Sequence, residues 1–254
     1  MTAEAHYALA RSYHGQDNLG SALPQYVLAI KAQPNFIPAA LASAHVLVKS
    51  GALPEAVNGY ENALNKAPQC IEILIGLAAV HAHNAYVATS DKDSVIEQDK
   101  AREKYEAVLR MLQSINQPDF QAPAGSSIRR IQAAGQDSAL YIDVARLWAA
   151  TDPKRTLKAY QASMAVRTDA EEDVPAALLN NIGCLEYGRK NVTEAQSHFE
   201  EAIKAATRDQ NISGDQEAAL VTALYNLAIA KEGTGQTEEA VGIYKGAVLA
   251  KHPE

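Results

Sequence analysis

Ala22, Tyr26, Ala29 and Pro34 recur as Ala56, Tyr60, Ala63 and Pro68, every member displaced by 34 positions. A shift of that size constrains the fold strongly, because a short repeated unit buries its apolar face only by stacking on its own copies. Tyr26 lies four residues after Ala22 and three before Ala29, so the three share one face of a helix. The alanines mark points where two helices approach closely, and the tyrosine fills the space beside them. Pro34 then stops the helix. Upstream, Leu9, Ala10 and Tyr13 occupy the matching face of a first helix, with a turn over Gly15–Gly20. One repeat is therefore a helical hairpin over residues 3–36, and the next covers 37–70.

The same frame continues with interruptions. Leu74, Leu77 and Ala78 begin a third unit, over 71–115, whose second helix carries Ala101, Tyr105 and Val108. Strict periodicity places that alanine at position 90, so 101 − 90 = 11 residues are inserted, supplied by the polar stretch Ser90–Glu97. Asn116–Gln136 holds Pro118, Pro123, Gly125 and Gly135 with little periodicity and reads as a loop. A fourth unit, 137–168, carries Tyr141, Val144, Ala145 and Trp148, then Thr156, Tyr160 and Ser163. In the fifth (175–208) and sixth (218–253), Leu179, Ile182, Gly183, Ala195, Phe199 and Ala202 match Leu224, Leu227, Ala228, Ala240, Tyr244 and Ala247 at an offset of 45. The extra residues there are assigned to a connection around Arg208–Gln216, and Pro253 closes the last unit.

Together these units resemble a tetratricopeptide (TPR) array. The resemblance implies an all-α solenoid of about six helix-turn-helix repeats wound into a right-handed superhelix over residues 1–254. Such arrays carry a polar helix over their last apolar face, whereas Lys251–Glu254 directly follows a second helix. The expectation is a single-solenoid piece of a longer chain.

A 47% hydrophobic content suffices for a core built repeat by repeat, and the net charge of −7 disfavours direct nucleic-acid binding. No run approaches about 18 uncharged apolar residues, and residues 1–20 hold no signal-peptide pattern, so a soluble intracellular protein with no membrane partner is expected. Cys70 and Cys184, on different repeats, do not suggest a disulfide framework. Asn191-Val-Thr193 and Asn211-Ile-Ser213 match the glycosylation triplet but read better as turn chemistry, with Thr193 as a helix N-cap.

No catalytic constellation emerges. His81 and His83 point about 200 degrees apart on a helix, so one faces the packed layer and one faces solvent, without a shared metal. Cys184, after Gly183 at a small-residue helix contact, reads as a structural thiol; no base is signalled beside it. Phosphate loops, nucleophile elbows and zinc spacings do not occur. The chain reads as non-enzymatic, without cofactor or metal.

Function in such an array sits on the inner surface formed by the first helices. Positions just after the fourth and eighth signature positions face it: Tyr7 and Arg11, Leu41 and His45, Ile75 and Ala79, Ile142 and Arg146, Asn180 and Cys184, and Tyr225 and Ile229. Apolar, aromatic and hydrogen-bonding groups in that mixture suit an extended protein segment, which needs pockets for side chains and partners for its backbone. Arg146, Asn180 and Tyr225 are the strongest candidates, because arginine and tyrosine are enriched at hot spots and an asparagine can pair with a backbone amide. A groove for a terminal carboxylate would need lysines beside Asn180, and its stretch has none.

Glu172-Asp-Val-Pro175, Leu178-Leu-Asn-Asn-Ile-Gly183 and Glu194-Ala195 with Phe199 and Ala202 resemble the TPR scaffold subunit of the RNA polymerase II-associated factor (PAF) complex. Ala10-Arg-Ser-Tyr-His14, Thr151-Asp152 with Leu157-Lys-Ala-Tyr160, and Tyr225-Asn-Leu-Ala228 are similar to it in the same order. The resemblance implies a nuclear scaffold for transcription elongation, histone H2B ubiquitination and H3 methylation. It would hold extended segments of the complex's name-giving subunit and the parafibromin-like subunit, and so reach RNA polymerase II indirectly. A TPR adaptor or co-chaperone for other peptide segments remains the alternative, and an enzyme the third class.

Overall fold

The structure, a computed structural model, describes residues 1–123, 126–208 and 214–251, with side chains described through Gly246. Gly125, the Asn211-Ile-Ser213 triplet, the Ala247 side chain and Pro253 lie outside the described residues. All secondary structure among those residues is helical. It divides into two compact units, Met1–Gln136 and Asp137–Glu254, with the division falling at the end of the non-periodic stretch 116–136.

In the first unit the hairpins are α1 (Ala3–Gly15) with α2 (Leu19–Ala32), α3 (Ile37–Lys49) with α4 (Leu53–Lys66), and α5 (Ile71–Val87) with α6 (Asp91–Ser114). The second unit holds α8 (Ser138–Trp148) with α9 (Pro153–Asp169), α10 (Ala176–Gly188) with α11 (Val192–Ala206), and α12 (Gly214–Gly233) with α13 (Thr237–Lys251). Within each unit a second helix also packs on the first helix of the following hairpin, as α2 does on α3, α4 on α5, α9 on α10 and α11 on α12. Asn18, Ser90 and Asp152 cap α2, α6 and α9 by accepting a backbone N–H, which satisfies donors that a helix leaves open.

The recurring residues form the core. Ala22, Tyr26, Ala29, Ala56, Tyr60 and Ala63 are all buried, and so are Ala101, Tyr105, Ala195, Phe199 and Ala202. How tightly the aromatic knobs fit is clearest at two glycines. A Cβ on Gly76 would lie 2.7 Å from Tyr60 Cζ, and one on Gly183 would lie 2.5 Å from Phe199 Cε1. Both distances are well inside van der Waals contact, so glycine is what admits the ring.

Both 11-residue offsets lengthen helices. Relative to α3, α5 gains four residues at its C-terminal end; relative to α4, α6 gains seven at its N-terminal end, and 4 + 7 = 11. Four residues are about one turn and seven about two, so each helix keeps its buried face. The connection stays at three residues, 50–52 in one hairpin and 88–90 in the other. Similarly, α12 begins ten residues before Leu224 while α10 begins three before Leu179, again seven more. The expected connection Arg208–Gln216 therefore gives up Gly214–Gln216 to helix.

Two expectations are corrected. Stretch 116–136 is not all loop: Ile128–Gly135 forms α7, which packs on α5 and α6. Ser127 caps it, Ile131 is fully buried, Ser126 Oγ accepts the Ile71 N–H at 3.2 Å, and Arg130 pairs with Glu72 at 3.3 Å. A helix with one buried apolar residue shows no periodicity to read. Thr193 does not cap α11. The N-cap is Asn191, which makes no side-chain cap bond and instead donates to Glu186 Oε2 at 2.6 Å.

Hairpin turns repeat as well. Asp17, Gly51, Lys190 and Gly235 all have positive φ, separated by the offsets 51 − 17 = 34 and 235 − 190 = 45 that relate the repeats. Only glycine adopts that conformation freely.

Two stability outcomes follow. Ala56→Glu and Ala202→Glu should each cost roughly 3 kcal/mol or more by overpacking and burying a charge, while alanine at Arg129 or Arg130 leaves the melting temperature nearly unchanged. Equal melting curves for all four variants would refute the packing frame. Lys190→Gly should stabilise by roughly 0.5–1 kcal/mol in chemical denaturation, because it relieves a left-handed non-glycine residue.

Candidate partner-binding surface

The sequence-expected positions fall on α1, α3 and α5 in the first unit and on α8, α10 and α12 in the second. In the first unit Tyr7 is half-buried, its ring 5.8 Å from Tyr26 and edge-on to Phe36 at 5.2 Å. Arg11 is exposed, with its guanidinium 5.9 Å from the Tyr7 ring centroid. Three residues further along, His14 Nδ1 lies 3.4 Å from the Tyr26 hydroxyl, and its ring is 5.9 Å from that of exposed His45. Leu41 packs beside the cluster around Tyr60, Ile75 is half-buried and Ala79 exposed. Tyr7 and Leu41 thus also help hold the hairpins together. His14, absent from the expected set, shares the helical face of Tyr7 and Arg11 at i, i+4, i+7 spacing, a signal present in the sequence.

Partial desolvation of the ring, then the neighbouring His14 and Lys49, hold the His45 imidazole below its ordinary value of 6.5 although the residue as a whole is exposed. This face accordingly offers a neutral hydrogen-bonding ring at neutral pH, near the cation Lys49.

In the second unit Ile142 and Ile229 are half-buried, while Arg146 is exposed and 3.6 Å from Asp143. Tyr225 is exposed, its ring 5.8 Å from Tyr244. Asn180 departs from expectation. It is buried, and its Oδ1 accepts Asn226 Nδ2 at 2.8 Å, so its carbonyl already serves to tie α10 to α12. Asn226 also approaches Cys184 Sγ at 3.3 Å. The frame pairs Asn226 with Asn181 at the 45-residue offset, not with a groove position, which is why it escapes sequence reading.

Cys184 is exposed, a correction to its reading as a packed structural thiol; Cys70 is the buried one. Gly183, not its neighbour, occupies the close helix contact. Neither thiol is activated for nucleophilic chemistry: burial pushes Cys70 up to about 11, and burial around the Cys184 sulfur also raises it. His81 is buried and 2.6 Å from Glu97 Oε2, while His83 is exposed. Among the described residues no three His, Cys, Asp or Glu side chains converge as a metal site, and no helix is long and apolar enough to cross a membrane.

The His45 shift sets a pH dependence. A histidine whose value is depressed by folding is protonated more readily in the unfolded chain, so stability is complete above about pH 6.5 and declines as pH falls below it. Thermal melts across pH 5.5–7.5 should show this decline, and His45→Gln should flatten it.

Residues 3–36 and 176–208 each match the tetratricopeptide repeat family. The chain is 26% identical to the RNA polymerase-associated protein CTR9 of Caenorhabditis elegans over 98% of its length, and 27% identical to Tetratricopeptide repeat protein 1 of Schizosaccharomyces pombe over 100%. The Arabidopsis thaliana protein CTR9 homolog is 23% identical over 97% of the chain. The chain spans about a fifth of the length of these relatives, 20%, 21% and 23% respectively. Among solved structures, YrrB, a TPR protein with an unusual peptide-binding site, superposes with a TM-score of 0.62 at 15% identity, covering 90% of this chain and 93% of that one. Pseudomonas aeruginosa PilF gives 0.57 at 13% identity, with 99% and 92% covered. The chain carries tetratricopeptide repeats in a helical solenoid, a fold that serves as a protein–protein interaction scaffold, and is distantly similar to proteins named CTR9.

Proposed function

We propose that the chain is a scaffold segment of the PAF complex that holds extended segments of the name-giving and parafibromin-like subunits. Through them it contributes in the nucleus to transcription elongation by RNA polymerase II, H2B ubiquitination and H3 methylation. The observation that carries this is the similarity to CTR9 across nearly the whole chain, which agrees with the resemblance read from Leu178–Gly183 and its neighbours. Its binding residues are Tyr7, Arg11, Leu41, His45, Ile75, Ile142, Arg146, Asn180, Cys184, Tyr225 and Ile229. Arg146 and Tyr225 are exposed members with hot-spot chemistry, as is Arg11, and Asn180 acts by bracing α10 against α12. No side chain is assigned a catalytic role.

A second reading, a TPR adaptor for other peptides, is supported by the equal similarity to a protein named only for its repeats. The test is to measure binding of the purified chain to segments of the two PAF subunits and to chaperone C-terminal peptides. The scaffold reading expects PAF segments to bind and Arg146→Glu with Tyr225→Ala to weaken them at least tenfold, with unchanged circular dichroism. Binding of chaperone peptides alone would favour the adaptor.

A further inference from the structure

The 11 inserted residues build a spur where α5 and α6 outrun their counterparts. Its arms are cross-braced: buried His81 pairs with Glu97 at 2.6 Å, Asn84 approaches the same oxygen at 3.4 Å, and Ser94 Oγ donates to the Ala85 carbonyl at 2.8 Å. Lys100 completes the network with Glu97 at 2.6 Å. Burial raises the Glu97 carboxyl, but the bonds from Lys100 and His81 prevail and hold it below its ordinary value, so the brace is ionised at neutral pH.

On this rigid support the spur exposes four bulky apolar side chains: Tyr86 at 88%, Val87 at 53%, Val95 at 54% and Ile96 at 43%. Four such residues within eleven positions exceed the scattered exposure that needs no explanation. Tyr86 also continues a stripe. Ile75, Ala79, Ala82 and Tyr86 follow one another at spacings of four, three and four, so the added turn of α5 extends the inner face. The first turn of α6 carries Asp91 and Asp93, exposed and without ion-pair partners among the described residues; the only unpaired cation in the inserted stretch is Lys92.

We propose that the spur docks an extended protein segment carrying arginine among bulky apolar residues. The exposed Tyr86 ring receives a guanidinium by cation–π contact, while Asp91 and Asp93, about 200 degrees apart on α6, offer carboxylates to separate basic groups of the segment. Val95 and Ile96 bury the apolar neighbours. This rests on the inner face being a partner surface, which it extends by the length of the spur and to which it adds a charge preference.

The test uses the full chain and two fluorescent 15-residue peptides, one alternating phenylalanine and leucine with arginine, the other with glutamate in place of arginine. Fluorescence polarisation should show the arginine peptide binding at least tenfold more tightly. Asp91→Lys with Asp93→Lys should abolish that preference and Tyr86→Ala should weaken binding several-fold. The charge-matched pair Glu55→Lys with Glu61→Lys should leave the preference in place. Equal affinity for the two peptides, or a preference lost equally in the Glu55/Glu61 control, would overturn the proposal. So would a concentration-dependent dimer that Val95→Asp dissociates, since the spur would then serve a second copy. Because Arg146 and Tyr225 report on the scaffold reading through PAF segments, failure of either idea is visible without the other.

Discussion

Everything in this chain depends on close approach between helices: an aromatic ring on one helix enters space that a small residue on its neighbour leaves open. Tyr60 against Gly76 and Phe199 against Gly183 show the limit, where even a methyl group would collide. At that separation a hairpin buries its alanines completely, and a new hairpin can cover the last without a central core. The repeat period, the helix lengths and the placement of the inner face all follow from keeping those rings and gaps in register.

The insertions show how the register survives change. Extra residues enter as about one turn on α5 and two on α6, so neither helix rotates its buried face away, and the connecting turn keeps its length. A loop of the same size would have left the stack equally intact but would not have built a braced projection. His81 illustrates the consequence: a buried imidazole in α5 is satisfied by Glu97, a residue that exists only because the hairpin was lengthened.

In each unit the first helices carry both packed and exposed positions. Tyr7, Leu41 and Asn180 are partly spent on holding helices together, through ring contacts, apolar packing and the amide bond to Asn226. Arg11, His45, Arg146 and Tyr225 are exposed. A scaffold benefits from this division, because a surface already braced loses little conformational freedom when a segment binds. Similarity to TPR structures shows the helical fold, and the lengthened α5 and α6 add a feature that the shared repeat does not require.

By itself the sequence determined the helical hairpins, their frame and the faces they bury, because a helix's 3.6-residue period converts spacing directly into direction. It also placed Tyr7, Arg11, His45, Arg146 and Tyr225 on the first helices. Only the tertiary structure decided that Ile128–Gly135 is a helix, that Asn226 ties α10 to α12, that Cys184 is exposed, and that Glu97 meets His81. Each of those facts depends on a contact between residues far apart or on a neighbour's bulk, and no local period carries that information.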